Sequence, residues 1–199
     1  MEKLYVQEND LLLDAYRLSV KIFNSGFRPN FIVGLWRGGS SVGIAVQECL
    51  QYLGVETDHI SIRTSYRGMN RYMDMVENAH DIRVHGTQYL LENLNADDAL
   101  LIVDDVYSTG LNMKAVTDRL ARKTKRNMPN DVRIAVPWYK PASNHTGRVP
   151  DYYLHETDKW LVLPYEITGL TLEEIYEHKS FLKPILDGTD EVVSRFGAS

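Results

Sequence analysis

The chain has 199 residues, 44% of them hydrophobic and 25% charged, with a net charge of −5. At about 150 residues per domain the length points to one domain over 1–199, and the composition excludes a disordered, collagenous or coiled-coil chain. The acidic balance argues against nucleic acid as the main partner, and a single cysteine, Cys49, excludes both an internal disulfide framework and a cysteine-based zinc site. No apolar run nears the roughly 18 residues of a membrane span. The opening MEKLYVQEND is polar and acidic, unlike a signal peptide. A cytoplasmic protein with no membrane partner is expected.

The first helix is predicted over 9–25, capped by Asn9 or Asp10 and closed by Gly26, with Leu12, Leu13, Tyr16, Val20 and Phe23 as its apolar stripe. FIVGL (31–35) reads as a buried strand, WRGGSS as a glycine-rich turn, and 42–54 as a second helix carrying Cys49 as a buried thiol. HISIR (59–63) alternates like a strand. The polar, Arg-rich stretch 64–86 is too long for an ordinary loop and suggests a lid or a long hairpin. QYLLENL (88–94) reads as a short helix, ALLIV (99–103) as a buried strand, 111–126 as a helix and VRIAVPWY (132–139) as a strand. Residues 140–170 carry aromatics, Pro and Gly in short extended pieces, and two terminal helices follow over 171–182 and 185–195, separated by Pro184.

Strands alternating with helices imply an α/β fold with a mostly parallel central sheet flanked by helices. Such sheets bind ligands at the carboxyl ends of their strands, where the turns 36–41 and 104–110 lie. The more informative is LLIVDDVYSTG (100–110). A buried strand delivers Asp104 and Asp105 to the sheet edge, and a small, hydroxyl-rich turn then opens a helix. Backbone N–H groups at a helix N-terminus favour an anion; Ser108 and Thr109 add hydroxyls, and Gly110 admits a phosphate close to the backbone. The unit therefore offers a phosphate cradle beside carboxylates suited to ribose hydroxyls or Mg²⁺. A Walker B element also ends in paired acids, but it needs a P-loop, and the chain contains no Gly-Lys dipeptide. A receiver domain also pairs aspartates, but at its first strand. The six histidines have no metal-site spacing.

LLIVDDVYSTG resembles the PRPP-binding signature of the type I phosphoribosyltransferases. The resemblance implies their fold, with a small hood region, and implies that Asp104 and Asp105 contact ribose while Tyr107, Ser108, Thr109, Gly110 and Leu111 hold the 5′-phosphate. FIVGLWRGGSSVGIAV (31–46) is similar to the family's pyrophosphate loop, which often carries a non-proline cis peptide; Trp36, Arg37, Gly38 and Gly39 are its counterparts here. Arg37, a cation among exposed N–H groups, suits a departing pyrophosphate.

Residues 64–86 resemble the family's mobile catalytic loop, and Ser65-Tyr66 is similar to the Ser-Tyr pair that opens it in the 6-oxopurine enzymes. Arg63, Arg67 and Arg71 suit a polyphosphate, and a lid excludes water from an oxocarbenium-like transition state. In the hood, about 140–170, IAVPWYKPAS and DKWLVLPYE resemble the base-binding segments of the same enzymes. They imply Lys140 on the exocyclic O6, Trp160 stacked on the purine, Leu161 reading its edge through its backbone, and Glu166 with Asp105 near a Mg²⁺ ion. Where the 6-oxopurine enzymes carry an Asp that takes the N7 proton, this chain has Ser108, a poor general base.

The resemblance implies a Mg²⁺-dependent purine salvage enzyme. It would transfer ribose 5-phosphate from PRPP to hypoxanthine, guanine or xanthine, with Asp104, Asp105 and Arg37 as the catalytic groups. A PRPP- or nucleotide-sensing protein of the same fold, or an enzyme for another base, are the alternatives. A homodimer is expected because the family is usually dimeric.

Overall fold

The computed structural model describes residues 2–66 and 82–186. They fall into two compact units, Asn9–Asp158 and the chain's beginning to Glu8 with Lys159 onward.

In the larger unit the buried run ALLIV forms β5 (Ala99–Val103) at the middle of the sheet. To one side lie β2 (Phe31–Trp36), β3 (Asp58–Tyr66) and β4 (Ile82–His85), in that order outward. To the other side lies β7 (Asp131–Tyr139), which also pairs with β6 (Val106–Tyr107) and β8 (Tyr152–Glu156). All these pairings are parallel except that of β3 with β4, an antiparallel hairpin. The sheet's apolar residues, among them Val33, Leu35, Ile62, Leu100, Ile102, Ile134 and Val136, share one core with Met113, Val116 and Leu120. Those last three come from one face of helix α4 (Leu111–Thr124). The earlier helices are α1 (Glu8–Asn24), α2 (Gly38–Tyr52) and α3 (Gln88–Asn93).

Four sequence expectations are corrected. Helix α1 buries Leu11, Ala15, Leu18 and Ile22, whereas Leu12, Leu13, Tyr16 and Val20 of the expected stripe are 40–49% exposed. The helix is apolar on two faces, so helical spacing alone does not decide which one meets the sheet. Helix α2 begins at Gly38, inside the expected turn. Cys49 is half-buried. Helix α6 (Lys183–Leu186) includes Pro184 rather than being separated by it, as a first-turn proline allows because its missing N–H is not needed there. The remainder of the expected 185–195 helix and the stretch 67–81, with Arg67 and Arg71, lie outside the described residues.

The smaller unit pairs β1 (Lys3–Tyr5) with β9 (Trp160–Val162) in parallel, a strand the polar start of the sequence does not announce. Helix α5 (Leu172–His178) closes it, starting with a capping box between Thr171 and Glu174. The Glu174 carboxylate also takes Lys3 Nζ and Tyr5 Oη (3.1 Å), and the Lys3 ammonium is the main cause that pulls its pKa down to about 2. Val162, Leu170 and Ile175 form this unit's core.

Candidate active site

Strand β5 and the short β6 run along β7 in one register, Val103 opposite Ala135 and Val106 opposite Trp138. The two residues between them, Asp104 and Asp105, therefore stand opposite Val136 and Pro137. Proline has no N–H to give a ladder, and the strand breaks there. The break frees both aspartates from regular pairing at the carboxyl end of β5, while Asp104 N–H still reaches Ala135 O (3.2 Å) and Trp138 N–H reaches Asp105 O (3.3 Å).

Asp104 Oδ1 accepts the Asp105 N–H (3.0 Å), and Asp105 Oδ1 accepts the Val106 N–H (2.7 Å). The Gly39 N–H also donates to the Asp104 carboxylate. Burial, and after it the neighbouring Asp105 charge, push Asp104 well above the usual carboxylate range despite these N–H donors. Two adjacent carboxylates held in this way suit partners that relieve the charge: hydroxyl donors or a hard divalent cation with oxygen ligands. Among the described residues no group of three or more His, Cys, Asp or Glu forms a metal cage. The donor set fits an ion held by one or two carboxylates and substrate oxygens rather than by protein alone.

The β2–α2 turn meets this edge directly. The Trp36–Arg37 peptide is cis, Trp36 and Arg37 are exposed, and Gly38 and Gly39 are buried at the start of α2. A Cβ on Gly39 would stand 2.4 Å from Val103 O and 2.8 Å from Asp104 Cα. Only glycine lets this turn lie against the end of β5, so its backbone and the aspartates share one site.

The phosphate turn follows. Gly110 has φ +76 and precedes α4, whose first turn carries no acidic residue. Gly110 stands at the hydroxyl end of Tyr107: a Cβ there would be 2.3 Å from Tyr107 Oη and 2.7 Å from Thr146 Oγ1. Tyr107 is 2% exposed, its hydroxyl donating to Arg148 O and bonding Thr146 Oγ1, both at 2.9 Å. The Tyr107 side chain is thus the support beneath the turn, and only its backbone lies along it. Thr109 Oγ1 accepts the Leu111 N–H (3.3 Å), and His145 N–H donates to Thr109 O (3.0 Å). Ser108 is half-buried on the same turn. Lys140 N–H donates to Tyr107 O (2.9 Å), which ties the lysine's backbone to the phosphate turn.

At the hairpin, Arg63 is exposed and Ser65 Oγ bonds His85 Nε2 (2.9 Å). Tyr66 ends β3. His155 bonds the buried Asp14 Oδ2 (2.7 Å) and faces the Trp138 ring, so it is a structural contact between α1 and β8.

Trp160, Leu161 and Glu166 belong to the smaller unit. Trp160 N–H donates to Glu2 O, and Val6 N–H to Val162 O, both at 3.0 Å. The alternation of a strand ladder therefore turns the N–H and C=O of Leu161 away from β1, to the edge where no described strand pairs. The Trp160 ring is 43% exposed, in a concavity of about 330 Å³ lined also by Val162 and Glu166. Glu166 Oε2 accepts the Leu163 N–H (3.0 Å). Sequence reasoning misses two supports, Tyr107 with Thr146 under the Gly110 turn in the larger unit and β1 beside Trp160 in the smaller, because each joins residues far apart in the chain.

The phosphoribosyl transferase domain profile matches residues 5–167. The fold is that of purine phosphoribosyltransferases. A purine phosphoribosyltransferase from Pyrococcus horikoshii is 24% identical, with a TM-score of 0.62 over 85% of this chain and 98% of that one. A Helicobacter pylori xanthine-guanine-hypoxanthine phosphoribosyltransferase is 14% identical, with a TM-score of 0.62 over 88% of this chain and 99% of that one. A Neisseria gonorrhoeae protein with bound ppGpp is 18% identical, with a TM-score of 0.66 over 92% and 98%. No curated protein sequence matches the chain.

Proposed function

Because the chain belongs to the phosphoribosyl transferase domain family, we propose that it transfers ribose 5-phosphate from PRPP to a 6-oxopurine, releasing pyrophosphate. The observation that carries this reading is the strand break at Asp104-Asp105, bordered by the Gly39 backbone and by the Gly110 turn.

In this reading Asp104 and Asp105 take the ribose hydroxyls, and the 107–111 backbone with Ser108 and Thr109 takes the 5′-phosphate. Arg37 and the Gly38 amide take the pyrophosphate, joined by the Gly39 amide as it turns from Asp104, with Trp36 at the rim. Asp105, and Glu166 beside the base, are the residues that would hold Mg²⁺, whose chemistry is to neutralise charge on the leaving pyrophosphate. The bond from C1′ to the pyrophosphate oxygen breaks, a bond from the purine nitrogen to C1′ forms, and the base gives up one proton to water or to the departing pyrophosphate. The protein's part is alignment and charge stabilisation. Trp160 stacks on the base, the Leu161 edge reads it, and Lys140 donates to a 6-oxo group, which a 6-amino group would not accept in the same way. Ser65 and Tyr66, at the end of β3, are the counterparts of the Ser-Tyr pair that opens the family's catalytic loop. The chain, 1–199, is read as one phosphoribosyltransferase domain that works in the cytoplasm as a homodimer.

The test is a base panel: protein, Mg²⁺ and PRPP with hypoxanthine, guanine, xanthine, adenine, uracil and orotate, with nucleotide and pyrophosphate both quantified. Product confined to the 6-oxopurines is the expected result. Product with adenine or a pyrimidine would keep the PRPP site and overturn the base site. Ser108 in place of an acid favours one second reading, a nucleotide-sensing protein; the ppGpp held by the Neisseria protein of the same fold is compatible with it. That reading predicts Mg-PRPP binding without product from any base.

A further inference from the structure

The smaller unit holds an ionisable group that the proposed function does not use. Lys179, directly after α5, is only 4% exposed. Its Nζ donates to Leu163 O (2.9 Å) and to Pro164 O (2.8 Å). No carboxylate of the described residues lies within ion-pair distance of it; Glu166 and Glu8 are the acidic groups that act on it from further away. Burial lowers its pKa, and those two charges only partly offset the effect. A hidden ammonium without a close counter-ion is an expensive way to fill space, and a leucine or methionine would fill it more cheaply.

What the ammonium holds is a turn. Leu163 follows β9 directly. Its N–H goes to Glu166 Oε2 (3.0 Å), and its carbonyl accepts both the Glu166 N–H (3.0 Å) and Lys179. Pro164 has no N–H, so its carbonyl is the only backbone group by which it can be tied, and Lys179 takes it. Two residues before Leu163 stands Leu161, whose backbone groups turn to the unpaired strand edge. A strand of three residues does not fix its own direction; its ends do.

We propose that Lys179 is a positioning residue for base recognition: by holding the Leu163 and Pro164 carbonyls it sets the direction of the Leu161 backbone edge. The proposal rests on the reading that Trp160 and Leu161 bind the base. It predicts that Lys179 governs affinity for the base far more than affinity for PRPP, which it reaches only through Glu166 on the same turn.

The experiment uses the full chain and Lys179→Met, which keeps the volume and removes the donors. Loss of two hydrogen bonds from a charged donor should raise KM for the base by about tenfold or more. KM for PRPP should stay within about twofold, and amide exchange across 160–166 should quicken with that in 99–111 unchanged. Lys179→Gln, which can keep one of the two bonds, should give an intermediate rise. If the Met variant does not fold, the Gln variant decides by the same split. Equal rises in both KM values, or an unmoved base KM with unmoved exchange, would overturn the proposal. Wild-type protein that makes no nucleotide from any base would instead overturn the proposed function, and that result is read before either variant.

Discussion

The phosphate turn and the Trp160–Glu166 segment are built in opposite ways. In the first, two carboxylates, two hydroxyls and the left-handed Gly110 lie within one short run of sequence, between a buried strand and a helix. The chemistry sits in one local run of side chains and backbone, and the neighbouring chain supplies only support: Gly39 against the end of β5, Tyr107 with Thr146 under the turn. In the second, much of the expected recognition falls to the backbone of Leu161. Its direction is set by β1 from the start of the chain and by Lys179 from beyond the next helix. A site made within one short run keeps its groups together through local geometry. A strand edge held from two distant parts of the chain is only as good as the contacts that hold it.

The largest expected effect strikes the first region. Replacing both aspartates, Asp104→Asn with Asp105→Asn, should lower kcat/KM for PRPP by about 10²–10⁴-fold, since hydrogen bonds to charged groups contribute about 1.5–3 kcal/mol each. KM for the base should move little. The single change Asp104→Asn sharpens the contrast through stability. The folded protein favours the protonated carboxyl, so stability present at low pH is lost as pH rises through the raised value. Without ligand, Asp104→Asn should therefore melt higher than the wild type at neutral and alkaline pH, and the two should converge toward acid; a lower Tm at pH 8 would contradict the raised Asp104 carboxyl.

Trp160→Ala comes next, in the second region. Base stacking contributes about 1–3 kcal/mol, so KM for the base should rise by about 5–150-fold with KM for PRPP unchanged. A change confined to PRPP would break the division of labour between the two segments. Gly39→Ala places a Cβ 2.4 Å from a main-chain oxygen that has no soft way to yield. It should cost about 1–3 kcal/mol of stability in thermal melts and weaken PRPP binding in titration calorimetry. The smallest effect is that of Tyr107→Phe, which removes the hydroxyl under Gly110. At about 1 kcal/mol for a neutral hydrogen bond, KM for PRPP should rise roughly fivefold.

Much of the first region is legible in the sequence. Apolar runs and glycine-bounded helices give the alternation of the sheet, and ALLIV followed by paired acids marks its functional edge because a buried strand has to end where charge begins. The apolar face of α1 is not legible in the same way, since apolar residues occupy both sides of the helix and only the sheet selects Leu11, Ala15, Leu18 and Ile22. The reach of β3 to Tyr66 depends on pairing with Arg83 and Ile82, which a polar sequence does not advertise.

By itself the sequence determined the α/β order of the chain, the acidic strand end and the glycine turns, because these follow from local hydrophobic pattern and from residues with special backbone or charge properties. Tertiary structure decided the rest: that Pro137 opens the ladder opposite Asp104 and Asp105, that Gly39 backs onto β5, that the Tyr107 side chain supports the turn from below, and that Lys179 grips the turn after β9. Each of these joins residues distant in the chain, and such a contact exists only once the backbone has folded to bring its partners within hydrogen-bond or van der Waals reach.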